Sequence, residues 1–412
     1  MEEDGIIVVG LDIGSTKVAT IVAEVFSSSI NIMGIGTSET SGIREGIVID
    51  LQETVNSIRR SVDEAQNTSG IKISSVFVSI SGNHIRDIES KGLVTIARPD
   101  KEITEEDVRR VLDNAKMIVL PSDTEILHIL PREYIIDGQS GIKYPIGMNG
   151  IRLEAEVQVI VGSTPFIQNI RRAVQGADLE IEQLIAAPLA STESVLDPDE
   201  KELGVVLIDI GGGTTEIAAF FDGSLRRLSI LNFGGKHVTY DIAKGLQTPI
   251  NQAEIIKKEK GLAMSNLAKE DIFIDLQLLG GRGEKPIPQH ILCGIIEDRL
   301  QEILVMAHDD LLKLNLYNKI TLSIILTGGT SNMKGIDILA EKIFTTTVKT
   351  GAPRLKDIKG LTNPLSDPSF ATVLGLIYWG KKHYLSGSRD RRYANRKGDW
   401  FKRFVHFFKR FL

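Results

Sequence analysis

Two short stretches of this chain place an acidic residue, glycines and hydroxyl side chains in an order that suits phosphate binding. The residues are Asp12, Gly14, Ser15, Thr16 and Lys17 in the first stretch, and Asp209, Gly211, Gly212, Gly213, Thr214 and Thr215 in the second. Glycine lets backbone N–H groups approach an anion closely, and the hydroxyls add donors. An aspartate inside an apolar strand is costly unless a cation compensates it. We therefore predict that both stretches hold phosphate and that Asp12 and Asp209 lie near a hydrated Mg²⁺, which keeps several water ligands.

Apolar residues lie on both sides of each stretch, so the element that must position these side chains is a β-hairpin. One Asp-Ile-Gly turn would serve hairpin geometry alone, since Asp and Gly suit tight turns. Two copies, with Asp12 and Asp209 lying 197 residues apart, instead favour two homologous halves that close on one nucleotide. Neither copy fits the Walker A loop or the Rossmann fingerprint, so the predicted phosphate site is a pair of hairpins.

The composition indicates a globular protein with an acidic body and a basic C-terminal stretch. The 412 residues are 42% hydrophobic and 25% charged, enough for several domains, and no apolar run is long enough to span a membrane. Residues 389–412 carry nine Lys or Arg and two Asp, a charge of +7, so the other 388 residues carry −13 of the total of −6. An acidic body argues against nucleic acid as a partner. Cys293 is the one cysteine, which excludes an intramolecular disulfide, and the acidic start lacks a signal peptide's basic region, so we expect the cytosol.

Between the two hairpins the pattern of strands and helices changes and then returns. Residues 84–161 alternate short strands with a helix at Glu105–Met117, capped by Thr104, and this predicts a compact insert with its own core. Separate strands are expected at 126–129 and 132–136, and no catalytic cluster stands out. A helix rich in small residues follows and leads to the second half, where it would serve as a hinge.

Two later stretches could complete a nucleotide site on the adenosine side. The candidates are Glu254, Lys257 and Lys258 on a charged helix, and Gly328, Gly329 and Thr330 after a buried strand. Glu and Lys one helical turn apart could bracket a ribose and base, although a solvated helix face with i,i+4 ion pairs has the same pattern. A strand that runs into Gly-Gly and hydroxyls before a helix is an anion or ribose platform at a helix N-terminus.

In this order, the two hairpins, the Thr327-Gly328-Gly329 turn and the helices rich in small residues resemble the superfamily of actin, heat-shock chaperones and sugar kinases over residues 5–385. Within it, the Ser81-Gly82-Asn83-His84 transition, the insert and the Ala253-Glu254 helix resemble the FtsA family of bacterial cell-division proteins. The resemblance implies an α/β actin-like ATPase fold, with two homologous halves around a nucleotide cleft. It also implies a small α+β insert in the first half and a C-terminal amphipathic helix.

The same resemblance divides the chain and implies a function. The implied segments are subdomain 1A at 1–83, 162–190 and 368–385, subdomain 1C at 84–161, subdomain 2A at 191–227 and 304–367, subdomain 2B at 228–303, a linker at 386–398 and a membrane-targeting helix at 399–412. The family is implied to bind ATP and Mg²⁺ and to polymerise on the cytoplasmic face of the cell membrane at the division site. It is further implied to bind the C-terminal tail of the tubulin-like protein FtsZ and to recruit other division proteins, which we expect at the insert.

Residue by residue, the resemblance places both hairpin sets on the phosphates, and Asp12 and Asp209 near Mg²⁺ through water. It places both later sets on the ribose and base, and the FtsZ tail on the helix Gln289–Leu314 at Arg299 and Glu302. No residue stands out as the base that activates the attacking water. Hydrolysis is therefore expected to be slow, and no catalytic base is assigned.

Residues 399–412 have the pattern of an amphipathic helix that follows a polar linker. One face is apolar and the other cationic: Trp400, Phe401, Phe404, Phe407, Phe408 and Phe411 against Lys402, Arg403, Lys409 and Arg410. An aromatic face opposite a cationic face is typical of a helix that lies in an anionic membrane surface. The alternative is a terminal helix that docks on the protein's own body.

Two other functions stay open within the same fold. A small-molecule kinase would need an acidic base facing a substrate cleft and would have no use for a membrane helix. A pilus-assembly-type actin-like ATPase would share the fold and the insert but would not be expected to carry the aromatic tail. The tail therefore favours an ATP-binding membrane adaptor that is at most a slow ATPase.

Overall fold

The computed structural model describes residues 5–281, 283–314 and 323–388. Its first hairpin contains the first stretch that the sequence predicts to bind phosphate. Apolar residues run almost without interruption through both strands of this hairpin, so both faces of each strand are buried. The elements before the insert are β1 (Ile6–Ile13), β2 (Lys17–Val25), β3 (Ile30–Glu39), β4 (Ile43–Arg44), β5 (Ile47–Val48), α1 (Leu51–Ser69) and β6 (Ser75–Ile80). Asp50 caps the start of α1 by accepting a hydrogen bond from Glu53 N, and Gly70 at φ 70° ends it.

The residues of the predicted insert fold into a sheet packed on one helix. Its elements are β7 (Arg86–Thr95), α2 (Glu105–Ala115), β8 (Thr124–Ile136), β9 (Gln139–Ile142) and β10 (Arg152–Ser163). α2 begins after Thr104, as predicted, because the backbone N–H and the hydroxyl of Thr104 both donate to the Asp107 carboxylate. Apolar side chains of α2 and the sheet form a core of their own.

One prediction about the insert is wrong. The sequence predicts separate strands at 126–129 and 132–136, whereas the structure has the single strand β8. Pro131 has no N–H to donate to a neighbouring strand, which is why a break is expected there. The register of β8 against β10 shifts between Glu156 and Val157, with Pro131 opposite Val157, so a bulge accommodates the proline and the strand continues.

After the insert, the chain completes the first half, builds the second and returns. The elements of the crossing and of the second hairpin are α3 (Thr164–Gly176), β11 (Glu180–Ala186), α4 (Ala187–Val195), α5 (Pro198–Leu203), β12 (Val205–Ile210), β13 (Thr215–Phe221), β14 (Ser224–Leu231) and α6 (Gly235–Leu246). The remaining elements are α7 (Ile250–Lys260), β15 (Phe273–Gln277), β16 (Glu284–Pro288), α8 (Gln289–Leu312), β17 (Ser323–Thr327), α9 (Ile336–Phe344), β18 (Val348–Thr350), β19 (Ile358–Gly360) and α10 (Ala371–Ser388).

The two large sheets repeat one plan. In the first half the strand order is β11-β6-β1-β2-β3-β19, and in the second it is β14-β13-β12-β17-β18. Each sheet has a central antiparallel hairpin, β1–β2 or β12–β13, whose first strand also pairs in parallel with a later strand, β6 or β17. The carboxyl ends of β1 and β12, where the two aspartates stand, therefore face the space between the halves.

The crossing helices α4 and α10 pack closely against each other, as their small residues predict. Gly375 of α10 lies so near α4 that a Cβ built on it would be 1.8 Å from the carbonyl oxygen of Ala190. α10 continues to Ser388, three residues into the stretch predicted as a linker, because extending an existing helix is easier than starting one. In the residues the structure describes, no helix is both long and apolar enough to cross a bilayer.

Candidate functional site

A cleft of about 1220 Å³ separates the two halves, and most of the predicted site residues line it. Those that do are Asp12, Gly14, Ser15, Thr16, Lys17, Asp209, Gly211, Gly212, Gly213, Thr214, Glu254, Lys257, Lys258, Gly328, Gly329 and Thr330. Among the residues predicted to bind the nucleotide, Thr215 does not line the cleft, because its buried hydroxyl donates to the carbonyl oxygen of Phe233 at 2.8 Å. Side chains alternate along a strand, so with Thr214 facing the cleft its neighbour must face away.

The two hairpins have the same turn and meet tip to tip. Gly14 N donates to Lys17 O at 3.0 Å in the first, and Gly211 N donates to Thr214 O at 2.9 Å in the second. A Cβ on Gly212 would lie 2.2 Å from Thr16 Cγ2, and one on Gly213 would lie 2.4 Å from Ser15 Oγ. A larger residue at either position would therefore force a shift in the contact between the hairpins.

Each hairpin carries an aspartate at the end of its first strand. Asp12 is half-buried and Asp209 is buried, and a neutral hydroxyl lies near each carboxyl group. Ser79 Oγ donates to Asp12 Oδ1 at 2.6 Å, and Thr372 Oγ1 is 3.4 Å from Asp209 Oδ2. Loss of hydration raises the pKa of Asp12. Burial, and then the nearby charge of Asp12, raises the pKa of Asp209 to about 7. Two carboxyl groups that resist ionisation side by side are suited to a cation between them.

The sequence analysis missed a third acidic residue, Glu216, which also lines the cleft. Its Oε1 accepts a hydrogen bond from Ser81 Oγ at 2.5 Å, while its buried Oε2 has no hydrogen-bond partner among the described residues. Burial, and then the charge of Asp209, raises its pKa well above the ordinary value. The hairpin register offers the missing signal, because it pairs Glu216 directly with Asp209 and so puts both side chains on one face.

The acidic residues do not form a complete metal site by themselves. Across residues 5–281, 283–314 and 323–388, no group of three or more His, Cys, Asp or Glu side chains is arranged to hold a metal ion. A Mg²⁺ between Asp12 and Asp209 would need phosphate oxygens and water as its other ligands. This donor set fits the ion, which prefers oxygen ligands and retains water.

Two lysines lie differently from what the sequence suggests. Lys17 Nζ donates to Ser369 O at 3.0 Å and Ser369 Oγ at 2.9 Å, and it sits 3.6 Å above the centre of the Phe370 ring. Its ammonium is thus held at the start of α10, and burial lowers its pKa. Lys236, which no motif singled out, donates instead to Ser15 O at 2.6 Å and lies beside the phosphate hairpins.

The charged residues of α7 form a small ion-pair cluster at the rim of the cleft. Glu254 is 2.7 Å from Lys257 Nζ and 3.1 Å from Lys258 Nζ, and it also accepts a hydrogen bond from Thr239. Burial alone would raise the pKa of Glu254, but the two lysines and Thr239 outweigh burial and lower it. Lys257 also donates to Gly235 O at 3.0 Å, so this cluster fixes α7 against α6.

The Gly328–Thr330 turn packs against the second hairpin. Thr330 Oγ1 donates to Gly211 O at 3.0 Å, and a Cβ on Gly328, whose φ is +83°, would lie 2.2 Å from Asp209 Oδ1. The sequence predicts the following helix at 335–344, and α9 begins one residue later, at Ile336, after Gly335 with a φ of +85°. A short 3-10 turn, Gly329–Asn332, lies between the two glycines and this helix.

The remaining predicted site residues lie away from the cleft. Arg299 and Glu302 are on α8, where Arg299 pairs with both Glu302 and Asp241 of α6. The side chain of Arg299 is 23% exposed and that of Glu302 is 52% exposed, so both reach the surface. The predicted membrane residues, from Trp400 to Phe411, lie outside the described residues.

Comparisons with known proteins agree with this architecture. The family described as "Cell division protein FtsA" matches residues 206–375, and the "SHS2 domain inserted in FTSA" matches residues 82–161. The cell division protein FtsA of Pseudomonas aeruginosa is 40% identical over 386 residues, covering 93% of this chain and 92% of that protein. FtsA of Escherichia coli K12 is 37% identical over 407 residues and 96% of both chains.

Solved structures with a similar fold include actin-like proteins. A chain of the PilM–PilN type IV pilus biogenesis complex has a TM-score of 0.64 at 18% identity, covering 91% of this chain and 98% of that chain. MreB5 of Spiroplasma citri bound to ADP has a TM-score of 0.55 at 13% identity, with coverage of 93% and 98%. At these identities the likeness concerns the fold, which is the actin-like ATPase fold. The sequence relatives go further, and by their identity and coverage the chain belongs to the FtsA family of bacterial cell-division proteins.

Proposed function

We propose that this chain binds ATP with Mg²⁺ in its cleft, polymerises on the cytoplasmic face of the cell membrane and tethers the FtsZ ring to that membrane. The observation that carries the nucleotide part is the pair of glycine hairpins that meet tip to tip, each with an aspartate behind it. The ADP-bound state of the structurally similar MreB5 supports a nucleotide as the occupant of such a cleft.

In this proposal the backbone N–H groups and hydroxyls of Gly14–Thr16 and Gly211–Thr214 bind the phosphates. Asp12 and Asp209 orient the water ligands of Mg²⁺, which would neutralise charge on the phosphate oxygens. Glu254 and Lys257 at one rim and the Gly328–Thr330 turn at the other bracket the adenosine. Glu216 is the carboxylate best placed to order a water near the phosphates. Turnover serves assembly and is slow, and no catalytic base is assigned.

The partners follow from family membership and from the surface. The C-terminal peptide of FtsZ is proposed to bind α8 at Arg299 and Glu302, which reach the surface next to α6. Other copies of the chain form the filament, and later division proteins bind the insert at 84–161. An aromatic and cationic helix at 399–412 anchors the assembly to anionic lipid.

A second candidate is a pilus-assembly-type ATPase, which the similarity to the PilM–PilN complex favours at the level of the fold. The sequence relatives and the C-terminal composition both favour the division protein over this alternative. A small-molecule kinase has weaker support, because the sequence relatives are cell-division proteins and such a kinase would have no use for an aromatic C-terminal helix.

The membrane part is tested by co-sedimentation of the full-length chain with anionic vesicles, with and without Mg·ATP. We expect the full-length chain to pellet with these vesicles, and we expect neither a chain lacking 399–412 nor a Phe407→Glu variant to do so. Asp399→Asn, which leaves both faces of the helix intact, is the matched control. Equal pelleting of the truncated chain would remove the membrane anchor from the proposal.

The nucleotide part is tested by equilibrium binding of a fluorescent ATP analogue with Mg²⁺. Asp209→Ala removes one of the two carboxylates, so we expect affinity to fall at least tenfold with Mg²⁺ present and to change little when the metal is chelated. An unchanged affinity with Mg²⁺ would show that the aspartates do not hold the metal.

A further inference from the structure

Lys236 links the two phosphate hairpins. Its backbone N–H donates to Gly212 O at 2.7 Å, which anchors the start of α6 under the second hairpin. Its side chain then crosses to the first hairpin, where Nζ donates to Ser15 O at 2.6 Å. One residue therefore contacts both halves of the molecule at the point where the predicted phosphates lie.

The ammonium of Lys236 is poorly compensated in this position. Its hydrogen-bond acceptor within the described residues is a neutral carbonyl, although an ammonium has three N–H donors. Burial lowers the pKa of Lys236, the charge of Glu254 opposes this effect, and the charge of Arg44 adds to it. A second cation nearby and an unused donor capacity together favour an anionic ligand at this point.

The three lysines that the sequence analysis assigned to the site have partners elsewhere. Lys17 is held by Ser369 at the start of α10, and Lys257 is held by Glu254 and Gly235 O. Lys258, also paired with Glu254, is 70% exposed at the rim. Unlike these three lysines, Lys236 contacts both hairpins, one through its backbone N–H and the other through its ammonium.

We infer that Lys236 binds the terminal phosphate of a nucleoside triphosphate and distinguishes it from a diphosphate. In the cleft without ligand, its ammonium joins the hairpins through the Ser15 carbonyl. When the triphosphate binds, the ammonium transfers to the outermost phosphate oxygens, so the hairpins are bridged through the ligand. The inference rests on the proposed nucleotide function and assigns the selectivity of that site to one side chain.

The test is equilibrium binding of ADP and of a non-hydrolysable ATP analogue, each with Mg²⁺, to the full-length chain. Lys236→Gln keeps a donor for the Ser15 carbonyl but removes the charge. We expect affinity for the triphosphate to fall about 10- to 100-fold, as for loss of a charged hydrogen bond, and affinity for ADP to change less than about twofold. Lys244→Met, an exposed position near the end of the same helix and outside the cleft, is the control and should change neither.

Each result separates the possible roles of Lys236. An equal loss for both nucleotides, or no loss for either, overturns the inference while leaving nucleotide binding in place. Absence of binding to the unmodified chain contradicts the proposed function itself. If Lys236→Gln does not fold, Lys236→Arg gives the second measurement: it retains the charge and should retain the preference for triphosphate, and loss of that preference would contradict a charge-based role.

Discussion

At the scale of single residues, the cleft contains three carboxyl groups whose surroundings oppose their ionisation. Asp209 and Glu216 are buried and Asp12 is half-buried, and loss of hydration raises the pKa of each. Neutral hydrogen bonds from Ser79 and Ser81 only partly replace that hydration. Burial and mutual repulsion oppose the ionisation of these carboxyl groups, and a nearby cation would favour it.

This arrangement predicts a pH-dependent stability. With the pKa of Asp209 raised from 3.8 to about 7, the folded protein retains a proton that the unfolded chain has lost, so metal-free stability falls as pH rises from about 4 to about 7. A shift of this size corresponds to roughly 4 kcal/mol. In Asp209→Asn we expect that part of the pH dependence to disappear, as measured by urea unfolding of metal-free protein at pH 5 and pH 8.

The exposed Asp271→Asn variant is the control for this prediction, and it should keep the pH dependence of the unmodified chain. If Asp209→Asn shows the same change between pH 5 and pH 8 as the unmodified chain, the ionisation of Asp209 does not govern stability.

At the scale of elements, the crossing of α4 and α10 joins the two halves. Their close approach depends on Gly375, because even a methyl group there would meet the backbone of Ala190 at 1.8 Å. Neither helix can move aside easily, since residues of both lie in one buried apolar core that extends into both halves. The close packing of α4 against α10 therefore holds the two halves together.

Gly375→Ala should destabilise the protein by about 1–3 kcal/mol or more, because the added methyl group overpacks a backbone contact. Gly294→Ala is the matched control, since Gly294 lies in α8 and a Cβ added there would meet no atom within 4 Å. At that position alanine should stabilise the helix by up to about 1 kcal/mol. Thermal or urea unfolding measures both variants, and equal effects would contradict the close crossing.

At the scale of the whole molecule, the insert is attached to both halves. Toward the first half, His128 of β8 accepts a hydrogen bond from Ala186 N at 3.1 Å, just before α4. Toward the second half, Arg227 of β14 contacts Asp87 of β7 at 3.1 Å and Asp310 of α8 at 2.7 Å. The insert therefore bridges the halves, and a change in their relative position must disturb one of these contacts.

Arg227→Met should lower the free energy of unfolding by about 3–5 kcal/mol, because it leaves the carboxylates of Asp87 and Asp310 buried without this cation. Arg59→Met, which removes a largely exposed pair with Asp178, should cost at most about 1 kcal/mol. Adding Asp87→Asn to Arg227→Met should recover part of the loss. No recovery in that double variant would contradict a buried ion network as the cause.

Sequence alone determined the features that depend on local patterns. Apolar runs around Asp12 and Asp209 predict the hairpins, Thr104 predicts the start of α2, and small residues predict the close crossing of α4 and α10. These features depend on backbone conformation and on the spacing of apolar residues along a strand or helix. Both are specified by residues that are close in sequence. The family resemblance added the prediction that the hairpins and the later turns surround a single cleft.

Tertiary structure decided which long or charged side chains reach the site. Lys17 contacts Ser369, which is 352 residues away, while Lys236 reaches Ser15 across 221 residues, and no local motif distinguishes these two lysines. Glu216 could be placed from the hairpin register, but its contact with Ser81, and the burial of an oxygen that has no partner in the described part of the chain, depend on the opposite half. The partner of a long, flexible side chain depends on which residues of distant elements lie near it in the folded chain. Burial and charge at these positions are therefore determined by the tertiary structure.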